Sequence, residues 1–423
     1  MHNQIDHFTE VDAMSLRNDA NQIIHAALAA AMPDAAVAKA LESAHFGSGR
    51  VVLVAAGKAA WQMAKAASDA LGSRIDRGVV VTKYDHSKGD IPNVRIFEAG
   101  HPVPDENSFI GTQAAIDAVT GLTEQDTVLF LLSGGGSALF EKPLITPDEL
   151  SRLTRELLAS GAEITEMNTV RKRFSAVKGG RFAELCRPAH VFSVVLSDII
   201  GDPLDMIASG PAYPDASTCE QAQEVARKYH LTLSPKMEEL LRQETPKALS
   251  NVETHVTGSV RQLCLAADAE CRKLGYRPQV LTASLCCTAR DAGSMFAEIA
   301  RYHQDTKESL AFIMGGETIV HLTGHGKGGR NQELALAAAP GISGFPGTAV
   351  FSVGSDGTDG PTDAAGGYVD GETNAALQAK GLNVFDVLQD NDAYHALAAV
   401  DGLIVTGPTG TNVNDFCVLL IQR

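Results

Sequence analysis

The fold is indicated most directly by the stretch Thr127-Val128-Leu129-Phe130-Leu131-Leu132-Ser133-Gly134-Gly135-Gly136-Ser137, in which an apolar run leads into three glycines between two serines. An uninterrupted apolar run bounded by turn-forming residues is typical of a strand buried on both faces. A second such run, Val51–Ala56, is followed by an amphipathic segment at 59–71. Strands of this kind that alternate with helices predict an α/β fold whose parallel sheets are covered on both faces.

Other elements follow the same alternation. A helix is predicted at 15–31, and another begins at Thr146, where Pro147 and Glu149 complete a capping box. Further strands, bounded mostly by Gly, Asp or Ser, are predicted at 78–82, His190–Leu196, 309–314, 318–322 and 348–353.

The length of the chain predicts two domains. At 423 residues it exceeds what one hydrophobic core usually organises. From about Gln221 to Val252 the sequence is polar and helical in character, which places a boundary near residue 240. We therefore expect domains at 1–240 and 241–423, with a cleft between them.

Composition limits the classes of partner. Lys and Arg number 35 against 51 Asp and Glu, a formal net charge of -16, which argues against a nucleic-acid or anionic-membrane surface. No apolar run reaches the roughly 18 residues that span a bilayer. The seven cysteines contain no C-x-x-C pair, so neither a disulfide framework nor a cysteine zinc site is expected. These features predict a cytoplasmic protein.

The segments after four predicted strands carry the candidate chemistry, because ligands of open α/β sheets bind beyond the carboxyl ends of the strands. These segments are Gly57-Lys58, residues 133–137, Ser197-Asp198 and residues 354–360. The glycine loop at 133–137 lets backbone amides approach a phosphate or carboxylate. Lys58 could neutralise charge that develops during phosphoryl transfer, although it does not fit the Walker pattern.

Acidic residues at two of these strand ends suit a metal. Asp356, Asp359 and Asp363 lie among glycines, and Asp198 and Asp202 flank a second turn. Carboxylate oxygens are the ligands that Mg²⁺ prefers, and a carboxylate can also accept the proton of a substrate hydroxyl. Turn formation is the competing interpretation for each of them.

A dinucleotide fingerprint is the main competing signal. Residues 324–329, Gly-His-Gly-Lys-Gly-Gly, satisfy G-x-G-x-x-G and would make the chain a dehydrogenase. The acidic residue expected about twenty positions later is missing, and the following Arg330-Asn331-Gln332-Glu333 suits phosphate or carboxylate binding better. Glu317 and Arg330 are expected to face the same cleft.

Several motifs occur together along the chain. They are Ala55-Ala56-Gly57-Lys58-Ala59, Gly100-His101-Pro102-Val103-Pro104-Asp105, Ser133-Gly134-Gly135-Gly136-Ser137-Ala138-Leu139, Asn168-Thr169-Val170-Arg171-Lys172, Leu196-Ser197-Asp198-Ile199-Ile200-Gly201-Asp202, Ala208-Ser209-Gly210-Pro211, Gly315-Gly316-Glu317, Gly328-Gly329-Arg330-Asn331-Gln332-Glu333 and Gly354-Ser355-Asp356-Gly357-Thr358-Asp359-Gly360. In this combination the chain resembles the class II glycerate 2-kinases, whose C-terminal half is the MOFRL domain, over nearly its whole length.

The resemblance implies a larger Rossmann-like N-terminal domain with a parallel sheet and a smaller α/β MOFRL domain. ATP, Mg²⁺ and D-glycerate would bind in the interdomain cleft, with 2-phosphoglycerate as product. Lys58 and Arg330 match positions that the family uses catalytically. Family members are often labelled hydroxypyruvate reductases, so an NAD(P)H-dependent reductase is the alternative. A third possibility is a protein that binds ATP without turnover.

The expected roles follow. We expect Lys58, Arg330 and Asp198 to act in catalysis, and Asp198 and Asp356 to hold the metal. Glycerate and ATP are the expected partners, without nucleic acid or membrane, and a homodimer is left open. The residues expected to bind substrate or nucleotide are Ser133, Gly134, Gly135, Gly136, Ser137, Arg171, Ser209, Glu317, Asn331, Asp356, Thr358 and Asp359.

Overall fold

The computed structural model describes residues 5–197, 199–201 and 203–423, and for residues 5–15 it describes the backbone alone. The contacts divide the chain into two compact units. Unit 1 contains residues 5–32, 199–201 and 258–423, and unit 2 contains residues 33–197 and 203–257.

Strands and helices alternate through most of the chain. The strands are β1 (Val51–Ala56), β2 (Ile75–Lys83), β3 (Val94–Ala99), β4 (Thr127–Leu132), β5 (His190–Leu196), β6 (Val252–Gly258), β7 (Arg277–Leu285), β8 (Leu310–Gly316), β9 (Thr348–Gly354), β10 (Gly366–Asp370), β11 (Leu403–Ile404) and β12 (Asp415–Ile421). The helices are α1 (Ile5–Ala30), α2 (Pro33–Leu41), α3 (Ala60–Leu71), α4 (Glu106–Ala118), α5 (Gly136–Leu139), α6 (Pro147–Ala159), α7 (Ile164–Arg171), α8 (Arg181–Leu185), α9 (Cys219–Lys228), α10 (Pro235–Leu241), α11 (Val260–Lys273), α12 (Ala289–Tyr302), α13 (Arg330–Ala338), α14 (Thr373–Ala379), α15 (Val384–Gln389) and α16 (Ala393–Ala399). Short 3-10 turns occur at Gly72–Arg74, Lys172–Phe174 and Ile207–Ser209.

Unit 2 is built on a sheet with the strand order β3-β2-β1-β4-β5-β6. The pairs that join β3, β2, β1, β4 and β5 are parallel. Every residue of β1 and β4 is buried, as their uninterrupted apolar runs predict. Ala56 lies opposite Leu132 at the carboxyl ends of these strands, so the loops that follow them begin side by side.

Unit 1 contains a mixed sheet with the order β11-β10-β9-β12-β8-β7. Its central strand, β12, is antiparallel to both β8 and β9. Asp415, the first residue of β12, therefore lies opposite Gly316 and Gly354, the last residues of those two strands. The two-domain α/β prediction is confirmed, but β12 was not predicted.

Two sequence predictions need correction. The segment 318–322 is a loop with an isolated bridge from Ile319 to Thr288, not a strand. Two of its apolar side chains are exposed, Ile319 by 51% and Leu322 by 84%, whereas Val320 packs against the core. A β-branched run without a neighbouring strand to satisfy its backbone does not form part of a sheet.

The division into continuous domains at residue 240 also differs from the structure. Helix α1 packs on α11 and β9, so it belongs to the unit that holds the end of the chain. The contacts of α1 come from its apolar face, which includes Ile23, Ile24 and Ala27, all buried. Packing between segments far apart in sequence leaves no local signal at a boundary.

Local helix signals agreed well with the structure. Thr146 caps α6: its hydroxyl accepts from Glu149 N at 3.3 Å, and Glu149 Oε2 accepts from Thr146 N at 2.9 Å. The helical character predicted after Gln221 corresponds to α9 and α10. Among the described residues no individual helix is long and apolar enough to cross a bilayer, and the bent pair Leu16–Ala30 and Pro33–Leu41 meets that test only when taken together.

Candidate active site

The loops after β1 and β4 are joined by hydrogen bonds in unit 2. Lys58 N donates to Gly134 O at 2.9 Å, and Ala59 N donates to Ser133 Oγ at 3.0 Å. The structure thus brings Lys58 and the glycine loop together. Ser133 is buried and its hydroxyl holds this turn, while substrate binding by Ser133 stays a prediction.

The glycine loop offers backbone donors. Gly136 N donates to Ser133 O, whereas the amides of Gly134 and Gly135 find no acceptor within the described parts of the chain. Gly135 has φ +84, a conformation that favours glycine. Free amides around a left-handed glycine form a concave surface that suits an anion.

A chain of hydroxyl groups borders the far end of this loop. Ser137 Oγ lies 3.2 Å from Ser209 Oγ, and Ser209 donates to Asn168 Oδ1 at 3.1 Å. Ala208 and Ser209 have φ values of +50 and +62, which is unusual for residues with a side chain. Ser137 and Ser209, both predicted, are therefore neighbours, and Asn168 is an additional residue that sequence reasoning did not assign.

A buried ion pair supports the loop from within. Lys178 Nζ donates to Ser137 O at 2.7 Å and to Glu141 Oε2. Both side chains are almost completely buried, and Glu141 Oε1 has no hydrogen-bond partner. Burial lowers the pKa of Lys178 to about 8, Glu141 opposes this shift, and Arg171 adds to it. Neither Lys178 nor Glu141 was predicted from the sequence.

Lys58 and Arg171 have no acidic partner in the described chain. Arg171 is half-buried, close enough to lower the pKa of Lys178, and its Nε atom is buried without an acceptor. Its neighbours in sequence differ, because Lys172 and Arg173 are buried and form ion pairs with Asp215 at 3.1 and 3.7 Å. Lys58 and Arg171 are therefore available to an anionic ligand.

In unit 1, Arg330 is the first residue of α13 and is held by two carboxylates. Its Nε and Nη2 atoms donate to Asp415 Oδ2 and Oδ1 at 2.5 and 3.1 Å, and its Nη1 atom donates to Glu317 Oε1 at 2.7 Å. Although burial opposes the charged form, these carboxylates raise the pKa of Arg330. Glu317 and Arg330 thus meet as predicted, whereas Asp415 was not foreseen.

Asp359 caps the start of α13. Its carboxylate accepts from Asn331 N at 3.1 Å and Gln332 N at 2.8 Å, which satisfies the first amides of α13. Burial raises the pKa of Asp359, and these hydrogen bonds oppose the shift. Asn331 is also buried and accepts from Ser352 Oγ at 2.6 Å. Asp359 also lines the cavity described below, and a nucleotide contact by Asp359 or Asn331 stays a prediction.

Asp356 and Thr358 do reach a cavity. Asp356 Oδ1 accepts from Thr358 N at 2.9 Å, while Oδ2 has no partner among the described residues. Both residues line a cavity of about 910 Å³ in unit 1, together with Glu317 and Arg330. The free Oδ2 of Asp356 is the kind of ligand that would hold Mg²⁺, which is commonly bound by one or two carboxylates and the substrate phosphates. Asp198 and Asp202, the other predicted acidic pair, lie outside the described residues.

The backbone amides of the G-x-G-x-x-G segment are bonded within the protein, unlike those of a dinucleotide-binding loop. Four successive amides of residues 324–327 donate at 2.7–2.9 Å to oxygens of Asp390, Asn391 and Asp392. A Cβ on Gly326 would lie 2.4 Å from Asp392 Cβ, so glycine is required for this close approach. These amides are not available to a pyrophosphate.

The chain is a two-unit α/β protein. Its strand ends carry a glycine loop with Lys58 in unit 2 and Arg330 with carboxylates in unit 1, which are residue types that commonly bind phosphate. Residues 19–242 match a family model described as a domain of unknown function (DUF4147), and residues 310–415 match the MOFRL family. A D-glycerate 2-kinase of Thermotoga maritima is 51% identical over 416 residues, which covers 97% of this chain and 99% of that protein.

Two further comparisons agree. A glycerate 2-kinase of Pyrococcus horikoshii is 40% identical over 394 residues, 88% of each chain. The crystal structure of a glycerate kinase from Thermotoga maritima superposes with a TM-score of 0.93 at 51% identity and covers 97% of this chain and 100% of that one. The chain belongs to the glycerate 2-kinase family with a C-terminal MOFRL domain.

Proposed function

We propose that this chain is a glycerate 2-kinase, which transfers the γ-phosphoryl group of ATP to the 2-hydroxyl of D-glycerate. The observation that carries the proposal is Lys58, which lies against the glycine loop without an acidic partner among the described residues. Arg171, also without such a partner, is close enough to shift the pKa of Lys178, which bonds Ser137 O. The near-complete match to a D-glycerate 2-kinase at 51% identity supports the choice of substrate.

Unit 2 supplies groups for an anionic acceptor. The free amides of Gly134 and Gly135, the hydroxyls of Ser137 and Ser209, and the Arg171 guanidinium suit the carboxylate of glycerate. Lys58 would neutralise negative charge on the phosphoryl group as it moves between oxygens. Positioned charge of this kind is the principal contribution of a protein to phosphoryl transfer.

Unit 1 supplies groups for the nucleotide and metal. Arg330, Glu317, Asp356 and Thr358 line one cavity. Arg330 would contact phosphate oxygens, and Asp356 would hold Mg²⁺, with Asp198 as a second ligand. When bound, Mg²⁺ neutralises phosphate charge. The bidentate contact with Asp415 keeps the Arg330 guanidinium oriented. Glu317 is exposed, so its contact with Arg330 can be replaced by one from an incoming anion.

The reductase alternative lacks its expected structural basis. A dinucleotide site of the fingerprint type needs free amides at the glycine turn. In residues 324–327 these amides are bound by Asp390, Asn391 and Asp392. ATP binding without turnover differs from the kinase in one measurable respect, which is the absence of ADP formation with glycerate.

The proposal also covers the cellular location, the partners and the oligomeric state. We infer a cytoplasmic enzyme whose partners are ATP and glycerate and not nucleic acid or membrane, in keeping with a net charge of -16. A homodimer is the assembly to be tested, by sedimentation or light scattering of the full chain.

A paired assay on one purified sample tests the function. ADP formation from MgATP is measured with and without D-glycerate, and NADH or NADPH oxidation is followed with hydroxypyruvate. The kinase requires ADP release that depends on glycerate, with 2-phosphoglycerate as the product by ³¹P NMR. Nicotinamide oxidation without ADP release would overturn the proposal, and 3-phosphoglycerate as product would overturn its regiochemistry.

A further inference from the structure

His101 lies beside Lys58 and the glycine loop. It follows β3 in unit 2. A Cβ built on Gly135 would lie 3.0 Å from His101 Cδ2, 3.1 Å from His101 Nε2 and 3.2 Å from Lys58 Cγ. The Nε2 edge of the imidazole, the stem of the lysine and the bare backbone of the loop therefore meet at one place.

The imidazole of His101 is uncommitted. Neither of its ring nitrogens has a hydrogen-bond partner within the described residues, and the side chain is half-buried. Nearby His86 differs, because its Nδ1 lies 3.0 Å from Lys58 O. A partly buried histidine without a structural hydrogen bond, placed beside a candidate anion site, is available to a ligand.

The charges that face His101 are mainly positive. They are Lys58 after β1, Lys83 at the end of β2, and His86 in the following turn. Burial lowers the pKa of His101, and these charges add to the shift. The acidic group of its own loop, Asp105, is engaged by Tyr84 OH at 2.7 Å and Ser108 N at 3.0 Å. These surroundings favour the neutral imidazole, whose free nitrogen can accept a proton.

We propose that His101 is the general base of the reaction and accepts the proton of the acceptor hydroxyl through Nε2. This inference rests on the proposed kinase function. In the step, the hydroxyl oxygen of glycerate forms a bond to the γ-phosphorus, and the bond from that phosphorus to the β,γ-bridging oxygen breaks. The hydroxyl proton passes to His101, and ADP leaves with the electron pair of the broken bond.

The assignment follows from what the neighbouring groups can do. The ammonium of Lys58 has no lone pair to accept a proton, so it serves for charge neutralisation. The hydroxyl groups of Ser137 and Ser209 are weak bases and bond to each other. A neutral imidazole with an accessible nitrogen is the most common general base in enzymes.

The first test compares His101→Gln with His45→Gln, an exposed histidine whose Nδ1 lies 2.9 Å from Ser43 O, outside the proposed machinery. We expect kcat/KM of His101→Gln for D-glycerate to fall by about 10²-fold or more, because general-base catalysis contributes roughly 10²–10⁴. His45→Gln should stay within about threefold. Thermal unfolding of both variants checks folding, and added imidazole should partly restore His101→Ala, an effect that a structural role would not produce.

The pH dependence of kcat/KM provides a second readout. In the wild-type enzyme, activity should fall on the acidic side as His101 becomes protonated, and this limb should be absent in His101→Gln. Lys83→Met removes one of the charges that lower the pKa of His101, so its acidic limb should move to higher pH with the plateau unchanged.

The outcomes separate this inference from the proposed function. If the wild-type chain forms no ADP with glycerate, the kinase proposal fails and this inference falls with it. If the wild type is an active kinase but His101→Gln retains activity within about threefold, or keeps the acidic limb, His101 is not the base. An acidic limb near pH 4 that persists in His101→Gln would point to a carboxylate base instead.

Discussion

Asp415 binds the guanidinium of Arg330 through both carboxylate oxygens, with donor–acceptor distances of 2.5 and 3.1 Å. Asp415 begins the antiparallel strand β12, and it lies opposite the last residues of β8 and β9. Arg330 begins α13, whose first amides are held by Asp359. A bidentate contact fixes the plane of the guanidinium as well as its position, which a single ion pair cannot do.

Asp415→Asn should therefore reduce kcat/KM by about 10- to 100-fold, because small displacements of a positioning group have effects of this order. Steady-state assays of ADP release at varied ATP would measure the loss. Asp363→Asn, which removes an exposed carboxylate bonded to Tyr394 OH, is the matched control and should leave the rate unchanged. Wild-type kcat/KM in Asp415→Asn would show that the bidentate contact does not orient Arg330 for the reaction.

Lys58→Met should lower kcat by about 10²-fold or more, since the substitution removes a charge that is expected to act on the transition state. The KM for glycerate should change less than kcat. The control is Lys65→Met on α3, where Lys65 forms an ion pair with Asp69. Turnover of Lys58→Met within a factor of about ten of wild type would remove Lys58 from the mechanism.

The ion pair between Asp126 and Arg50, the residue just before β1, should make the protein less stable at acid pH. Asp126 accepts from Arg50 N at 2.7 Å, from Arg50 Nη2 at 2.8 Å and from Thr123 N at 2.7 Å. The hydrogen bond from the Arg50 side chain holds the pKa of Asp126 well below its ordinary value of 3.8, although burial opposes the shift. We expect Asp126→Asn to reduce the free energy of unfolding at pH 7 by about 2 kcal/mol.

The sign of this pH effect follows from the depressed pKa of Asp126. Its stabilising contribution is fully present above the unfolded-state value near 3.8 and is lost as the pH falls towards the folded-state value. Urea unfolding from pH 7 down to pH 3 should therefore show wild type and Asp126→Asn converging only below about pH 4. Equal differences at pH 7 and pH 3 would contradict this account.

The buried pair behind the glycine loop should respond differently to single and double substitution. Glu141→Gln leaves Lys178 buried without an anion, and breaking a buried ion pair typically costs about 3–5 kcal/mol. Replacing both residues, in Glu141→Leu combined with Lys178→Met, should cost less than the single change. Urea denaturation measures the free energy of unfolding of each variant. The control is Glu239→Gln, which breaks an exposed ion pair with Lys236. A loss of stability in Glu141→Gln no larger than that in Glu239→Gln would contradict the prediction.

Much of the site could be predicted because strand-end chemistry is local in sequence. The apolar runs of β1 and β4 and the loops that follow them are short, continuous signals. Parallel pairing of adjacent strands then brings Lys58 beside the glycine loop without further information. Thr146 and Glu149 likewise form a capping box that is complete within four residues.

Other assignments depended on contacts that no local pattern shows. Arg171, Lys172 and Arg173 are consecutive, yet Lys172 and Arg173 are paired with Asp215, which lies more than forty residues later. Asp359 lies in a glycine-rich acidic loop and satisfies the amides of α13. A carboxylate in sequence does not reveal which donors will surround it.

What the sequence determined by itself was the alternation of buried strands with helices, and the residue types at the strand ends, because both follow from side-chain hydrophobicity and backbone freedom over a few residues. Only the tertiary structure decided which charges are compensated. It placed Asp415 against Arg330 and Glu141 against Lys178, while His101 came to lie beside Gly135 without a partner in the described chain. Burial and pairing are properties of the space around a group, and that space is formed by segments distant in sequence.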